Sequence, residues 1–264
     1  MARGTAGATG RGRSRAVLLG VAASMAVVLG TSLWAYAETR SGAEPADYVT
    51  DASQEEEEET VSPTTEIDDP ALRGTEVRIP QGWAPAGESA VHHDTAEVIV
   101  RRYQADGERT LGGSHLSVVE GEGGRLVGLT RLDAAAAGDP GDLPGHEQAR
   151  EVAYTWLARQ DPEYLEGLTE QWVDRHDEVV VDADGQETVV PGIKVKTRHE
   201  DGRYAWVIVG VGSQVVTFER DITWDSAEQR RSTQMWLHDA WVAAVEGTGE
   251  QPPAPAAVAD ADRP

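Results

Sequence analysis

The stretch from Arg203 to Trp224 constrains this chain more than any other. Two β-branched and aromatic runs, Tyr204 to Val209 and Val215 to Ile222, flank a Gly-Val-Gly-Ser break. Such runs favour extended backbone, and their near-continuous hydrophobicity fits strands covered on much of both faces. The glycines supply the positive φ angles of a tight connection. The stretch therefore reads as a β-hairpin, and it has an echo. Val118-Val119-Glu-Gly121-Glu-Gly123 aligns with Val207-Ile208-Val-Gly210-Val-Gly212, Leu126-Val127 with Val215-Val216, and Arg131 with Arg220, all at one offset of 89 residues. This fits two modules, each ending in the same kind of hairpin.

The two ends of the chain have a different character. Residues 1–15 carry Arg3, Arg11, Arg13 and Arg15 with no acid, and an apolar run from Ala16 to Leu33 follows. With Ala35 and Ala37 forming an Ala-x-Ala site, this is the pattern of a secretory signal peptide cleaved after Ala37. At about 18 apolar residues the run also has the length of an uncleaved membrane anchor, with the basic residues on the cytoplasmic side. Either route puts the rest of the chain outside the cytoplasm. Residues 38–72 are acidic, with Glu55 to Glu59 consecutive among Ser, Thr and Pro, and read as a disordered linker. Residues 248–264, rich in Pro, Ala and Asp, read as a disordered tail.

Between them the pattern predicts folded structure. Glu76 to Ile79 alternates as a short strand. Strands over 97–104, 109–120 and 125–132 make an antiparallel meander. A helix over 146–159 carries Ala149, Val152, Ala153, Trp156 and Leu157 on one stripe and stops at Asp161-Pro162. A strand pair, 171–181 and 188–199, turns through Asp182-Ala183-Asp184-Gly185. After the hairpin, Ser226 to Gln229 has the form of a capping box, and Leu237, Ala240, Trp241 and Ala244 repeat a helical stripe. The expected fold is α+β: antiparallel sheets, each packed by an amphipathic helix, in a β-rich module at 73–133 and an α+β module at 144–247.

Those residues carry a resemblance. Val98-Ile-Val-Arg-Arg-Tyr-Gln, then Leu111-Gly-Gly-Ser-His-Leu-Ser-Val-Val and Leu126-Val127-Gly-Leu, resembles the prosegment module of fungalysin/thermolysin-type metallopeptidases. The part from the 146–159 helix to Trp224 resembles a PepSY domain, which follows that module in such prosegments. The helical zinc motif His-Glu-x-x-His is absent, since His146-Glu147 leads into Gln-Ala-Arg. The resemblance implies a prosegment-like protein without its peptidase, a class proposed to bind or inhibit peptidases.

The remaining chemistry is sparse. There are no cysteines, so no disulfide, lipid anchor on Cys or thiolate metal site is available. A net charge of −23 excludes a general nucleic-acid footprint and opposes docking on an anionic membrane face. Membrane contact is expected only through residues 16–33. Ser114 and Ser213 lie beside glycines but not in a nucleophile elbow, and read as strand and turn residues. His92-His93-Asp94 reads as a surface loop, because neighbouring histidines on a strand point to opposite faces. Asp182 to Gly185 reads as a hairpin turn and not a calcium loop. Of eight tryptophans, Trp83, Trp156, Trp172, Trp206, Trp236 and Trp241 lie near apolar neighbours and read chiefly as core. No catalytic, cofactor or metal residue is expected. Arg101-Arg102 beside Tyr103 reads chiefly as pairing with the chain's own surplus carboxylates; if a protein partner binds, an extracellular peptidase or another envelope protein, Arg101 and Tyr103 are the candidate anchors. The expectation is an exported, non-catalytic binding module; the alternative is a secreted or anchored hydrolase with an unrecognised site.

Overall fold

The computed structural model describes residues 67–260, and one antiparallel sheet of eight strands runs through them. In chain order the first elements are β1 (Trp83–His93), β2 (Ala96–Ala105), β3 (His115–Glu120) and β4 (Leu126–Leu132). Helices α1 (His146–Gln160) and α2 (Pro162–Glu166) follow, then β5 (Leu168–Arg175), β6 (Glu178–Val181), β7 (Glu187–Val190) and β8 (Gly192–His199). The chain continues with β9 (Tyr204–Gly210), β10 (Val215–Ile222), β11 (Trp224–Asp225), β12 (Arg230–Arg231) and α3 (Asp239–Val245). Across the sheet the order is β1-β2-β3-β4-β10-β9-β8-β5, and β6–β7 and β11–β12 are separate two-stranded ribbons.

The expected α+β architecture is corrected on this point. There are not two sheets with a helix on each; the described residues are built on one antiparallel sheet with three helices, of which only α1 is longer than two turns. The sheet is continuous because β4 and β10, the last strands of the two meanders, pair through Thr130–Thr217, Leu129–Phe218 and Gly128–Glu219. The 89-residue offset carries Leu129 onto Phe218, so a local two-fold axis passes between that pair. The hairpins it relates are alike in detail. Gly121 (φ −96°, ψ −170°) and Gly210 (φ −92°, ψ −168°) each donate their N–H at 2.8 Å to the residue four further on. Gly123 (φ 71°, ψ 16°) and Gly212 (φ 69°, ψ 16°) occupy the left-handed region. A Cβ there costs about 1–2 kcal/mol. Gly123→Ala and Gly212→Ala should each lower stability by that amount, read as a shifted denaturation midpoint at unchanged slope; two neutral substitutions would mean the turns are not held as described.

Only α1 is a long cover. Its stripe of Ala149, Ala153, Trp156 and Leu157 packs on Ile193, Val195, Val207, Val209 and Phe218 on one face of the sheet. Gly145 precedes the helix without a side-chain cap, and Asp161 ends it while capping α2 through a bond from the Tyr164 N–H. No matching helix covers the other half of this face. Ala71, Leu72 and Val77 do so, from an irregular segment in which the expected strand over 76–79 does not form. Residues 67–72, part of the expected linker, are thus packed.

The opposite face is covered in part by the β6–β7 ribbon and by the chain after β12. Leu237 packs on Val98, Val119 and Val127, and Trp241 and Val242 pack with Ala257. The expected helix from Ser226 is absent; α3 has only seven residues. Residues 248–260, read from composition as a tail, lie against the body, with the Pro255 carbonyl accepting the Arg231 N–H. No described helix is long and apolar enough to cross a membrane.

Candidate functional site

Because side chains alternate along a strand, β8 sends Ile193, Val195 and Thr197 into the core and Lys194, Lys196 and Arg198 to the opposite face. Lys194 and Lys196 are the two lysines of the chain. Register sets aromatic rings beside them: Lys196 lies between Trp172 of β5 and Trp206 of β9, and Arg198 opposite Tyr204. The Lys196 Nζ stands 4.5 Å from the Tyr204 ring, 5.4 Å from Trp224 and 5.7 Å from Trp172, and the Lys194 Nζ 3.9 Å over Trp206. Trp172 and Trp224 are among the few large apolar side chains left open to solvent, at 43% and 36% exposure. In a chain with 46 acids, neither lysine makes an ion pair with a described carboxylate. Burial lowers the Lys194 ammonium to about 8, against the opposing pull of Glu219, and burial also lowers Lys196.

A buried polar network adjoins this strip. Glu219, on the same face of β10, accepts hydrogen bonds from Trp206 Nε1 at 3.1 Å, Arg231 Nη1 at 2.7 Å and His238 Nε2 at 2.9 Å. Burial alone would raise its carboxyl; the charges and hydrogen bonds of Arg231 and His238 hold it well below the ordinary carboxylate range. Beyond His238 a cavity of about 240 Å³ opens, lined by His115, Thr130, Glu178, Thr217, His238 and Asp239. The His115 Nδ1–H donates to the Gly113 carbonyl at 2.8 Å and stands 3.6 Å from Asp239 Oδ2. Burial lowers the pKa of this ring, outweighing the attraction of Asp239. Asp239 is taken by a two-pronged pair with Arg102, at 2.7 and 2.8 Å, and by the Gly112 N–H. His115 and Asp239 thus lie side by side without a hydrogen bond between them, His115 Nε2 has no hydrogen-bond partner, and no described hydroxyl is set on it as a nucleophile.

The expected anchors are brought together, though by a partner within the chain. Arg101 holds Asp69 through Nε (2.9 Å) and Nη2 (3.0 Å) and also pairs with Glu120, while the Tyr103 hydroxyl donates to Asp69 at 2.7 Å. Tyr103 is buried, and Asp69 also caps the short helical turn at 70–72. These contacts fasten the segment 67–79 to β2. Ala35 and Ala37 lie outside the described residues, as does the segment 16–33. Ser114 accepts the Ala134 N–H and Ser213 accepts from Gln148, so neither meets a base. His93 turns inward to the Arg220 carbonyl while Asp94 accepts from Thr223 and Thr233. Asp182 Oδ1 closes its turn by accepting the Asp184 and Gln186 N–H groups. Among the described residues no group of three or more His, Asp or Glu is placed to hold a metal. Sequence reasoning missed the lysine strip. Its signal was there in the two lysines two residues apart on a predicted strand. No family model and no curated protein matches this chain, so the reading of the strip rests on its own residues.

Proposed function

We propose that this chain is an exported, non-catalytic binding module that docks on a protein partner outside the cytoplasm, an extracellular peptidase being the partner that its prosegment-like pattern implies. The observation that supports this reading is the open sheet face, where Trp172, Tyr204 and Trp224 surround Lys196 beside β5, the end strand of the sheet among the described residues. Aromatic and cationic anchors of this kind dominate interface energetics, and a patch of about 800 Å² per partner suffices for a stable complex.

The full chain, added to secreted peptidases of the producing organism, should lower their turnover of a fluorogenic peptide. Trp172→Ala should weaken that restraint by about tenfold or more, the effect of losing one interface hot spot. Undiminished peptidase activity at saturating chain would remove the peptidase from the proposal. The His115–Asp239 pair favours a second reading, a hydrolase. Turnover of ester, amide or glycoside substrates by the pure chain, lost in His115→Gln, would replace the first reading with that one.

A further inference from the structure

The strip on β8 is chemically unlike the rest of the molecule. Twenty-one arginines and two lysines face 46 acids in this chain, and buried arginines such as Arg102, Arg220 and Arg231 are matched by carboxylates. Neither lysine has such a match, and among the described residues Arg78, Arg198 and Arg230 also lack one. The lysine ammonium groups sit against the faces of Trp206, Tyr204, Trp172 and Trp224, with Arg198 on the same side and 5.6 Å from the Tyr204 ring. Aromatic faces orient a cation without neutralising it, so the positive charge is not cancelled, with Arg198 exposed, Lys196 half-buried and Lys194 the deepest of the three. The carboxylate nearest in register, Asp174 opposite Lys194, turns instead to the Arg175 N–H. Beside the strip, β5 is the end strand of the sheet among the described residues, the kind of edge that takes another extended segment.

We infer that this strip binds an acidic, extended peptide segment of the protein partner, its carboxylates meeting Lys194, Lys196 and Arg198 and its backbone running along β5. The inference rests on the protein-binding reading above and names the chemistry that the partner must present. Charge complementarity is the argument for that occupant. A chain of net charge −23 repels acidic partners in general, and Lys194, Lys196 and Arg198 put three cations at alternate positions of one strand, so they set both the site and the register of approach. A partner carboxylate would also resolve the strain on Lys194. That ammonium is disfavoured by burial and faces Lys196 and Arg231 as well as Glu219 and Glu178. An added anion favours its charged form, so binding takes up a proton. Affinity is then full below about pH 8 and declines as pH rises above it.

The test is a fluorescence titration of the full chain with capped hexaglutamate, hexalysine and hexagalacturonate. Hexaglutamate should bind and hexalysine should not, and Lys194→Gln/Lys196→Gln should weaken hexaglutamate by tenfold or more while the thermal midpoint stays near that of the parent. In Lys194→Arg, which keeps the charge but does not titrate, binding should persist and its decline between pH 7 and 9.5 should become shallower, leaving the part due to Lys196. Equal binding by the double variant and the parent, or binding of hexalysine as tight as that of hexaglutamate, would overturn the inference. Tighter binding of hexagalacturonate would overturn it in favour of an acidic polysaccharide. Peptidase restraint that survives in the double variant would leave the proposed function standing and remove the strip from it; hexaglutamate binding without any restraint would do the reverse.

Discussion

Trp156→Ala should lower the stability of the protein by about 3–5 kcal/mol, the range for removing a large core aromatic. The indole is 5% exposed and lies in the α1 stripe between Ala153 and Leu157. Its ring centre is 6.3 Å from that of Phe218 at a tilt of 60°. Phe218 belongs to the pair on the local two-fold axis, so the indole is what joins the single long helix to the middle of the sheet. Small residues at 149 and 153 bring the helix close and cannot expand into the space a missing indole leaves. Arg159→Ala is the matching control. That side chain is on the same helix but half exposed in a surface pair with Glu76, and such pairs are worth about 0–1 kcal/mol. Chemical denaturation at unchanged slope separates the two. Equal midpoints for Trp156→Ala and its parent would mean that α1 does not stabilise the sheet.

The parts of this fold that sequence alone makes legible are those decided locally. The β9–β10 hairpin and α1 each carry their own periodicity and punctuation, and the 89-residue echo proves to be a real local symmetry down to backbone angles. β1 escaped because an edge strand of Ala, Gly, Ser and Pro has little intrinsic preference for extended backbone and acquires it by pairing with β2. β5 and β6 read as one strand because the break at His176-Asp177 contains neither Gly nor Pro. The helical stripe after Ser226 misled for a different reason. Leu237 and Trp241 are buried in separate clusters, so two unrelated contacts produced one apparent period. The capping-box residues serve a turn, with Asp225 Oδ1 accepting the Ala227 and Glu228 N–H groups and Gln229 at φ 53°. At the site the difficulty was distance along the chain. Alternation puts Lys194 and Lys196 on one face, but the rings that frame Lys196 come from residues 172, 204 and 224, and only the sheet order assembles them. That Arg101 and Arg102 would pair with the chain's own carboxylates was legible from its surplus of acid, but which acid was not, because Asp69 lies 32 and 34 residues from Arg101 and Tyr103.

Arg231→Met is the other substitution with a large expected effect, and its sign depends on pH. Glu219 is buried at 2% exposure, and Arg231 is its shortest contact. Removing the guanidinium leaves a carboxylate in the interior with only His238 and Trp206 as donors, which costs about 3–5 kcal/mol at neutral pH. In the parent the folded-state pKa of Glu219 lies below its ordinary value of 4.5. Its contribution is therefore present above that pH and is lost as pH falls through the folded value. Without Arg231 the burial penalty is no longer outweighed, the pKa moves upward, and protonation relieves the unpaired charge. Acidification from pH 7 to pH 4 should thus cost the variant less stability than it costs the parent, and the gap between them should narrow. The other depressed carboxylates, Asp69, Asp161, Glu178, Asp201 and Asp239, act alike in both proteins and cancel in the comparison, while His93, which burial and Arg231 together lower, charges more readily in the variant and narrows the gap in the same direction. Glu219→Gln/Arg231→Met, with no charge left to desolvate, should recover part of the loss at pH 7. Denaturation midpoints at the two pH values decide the matter: a constant gap between Arg231→Met and the parent would show that Arg231 does not hold the Glu219 charge.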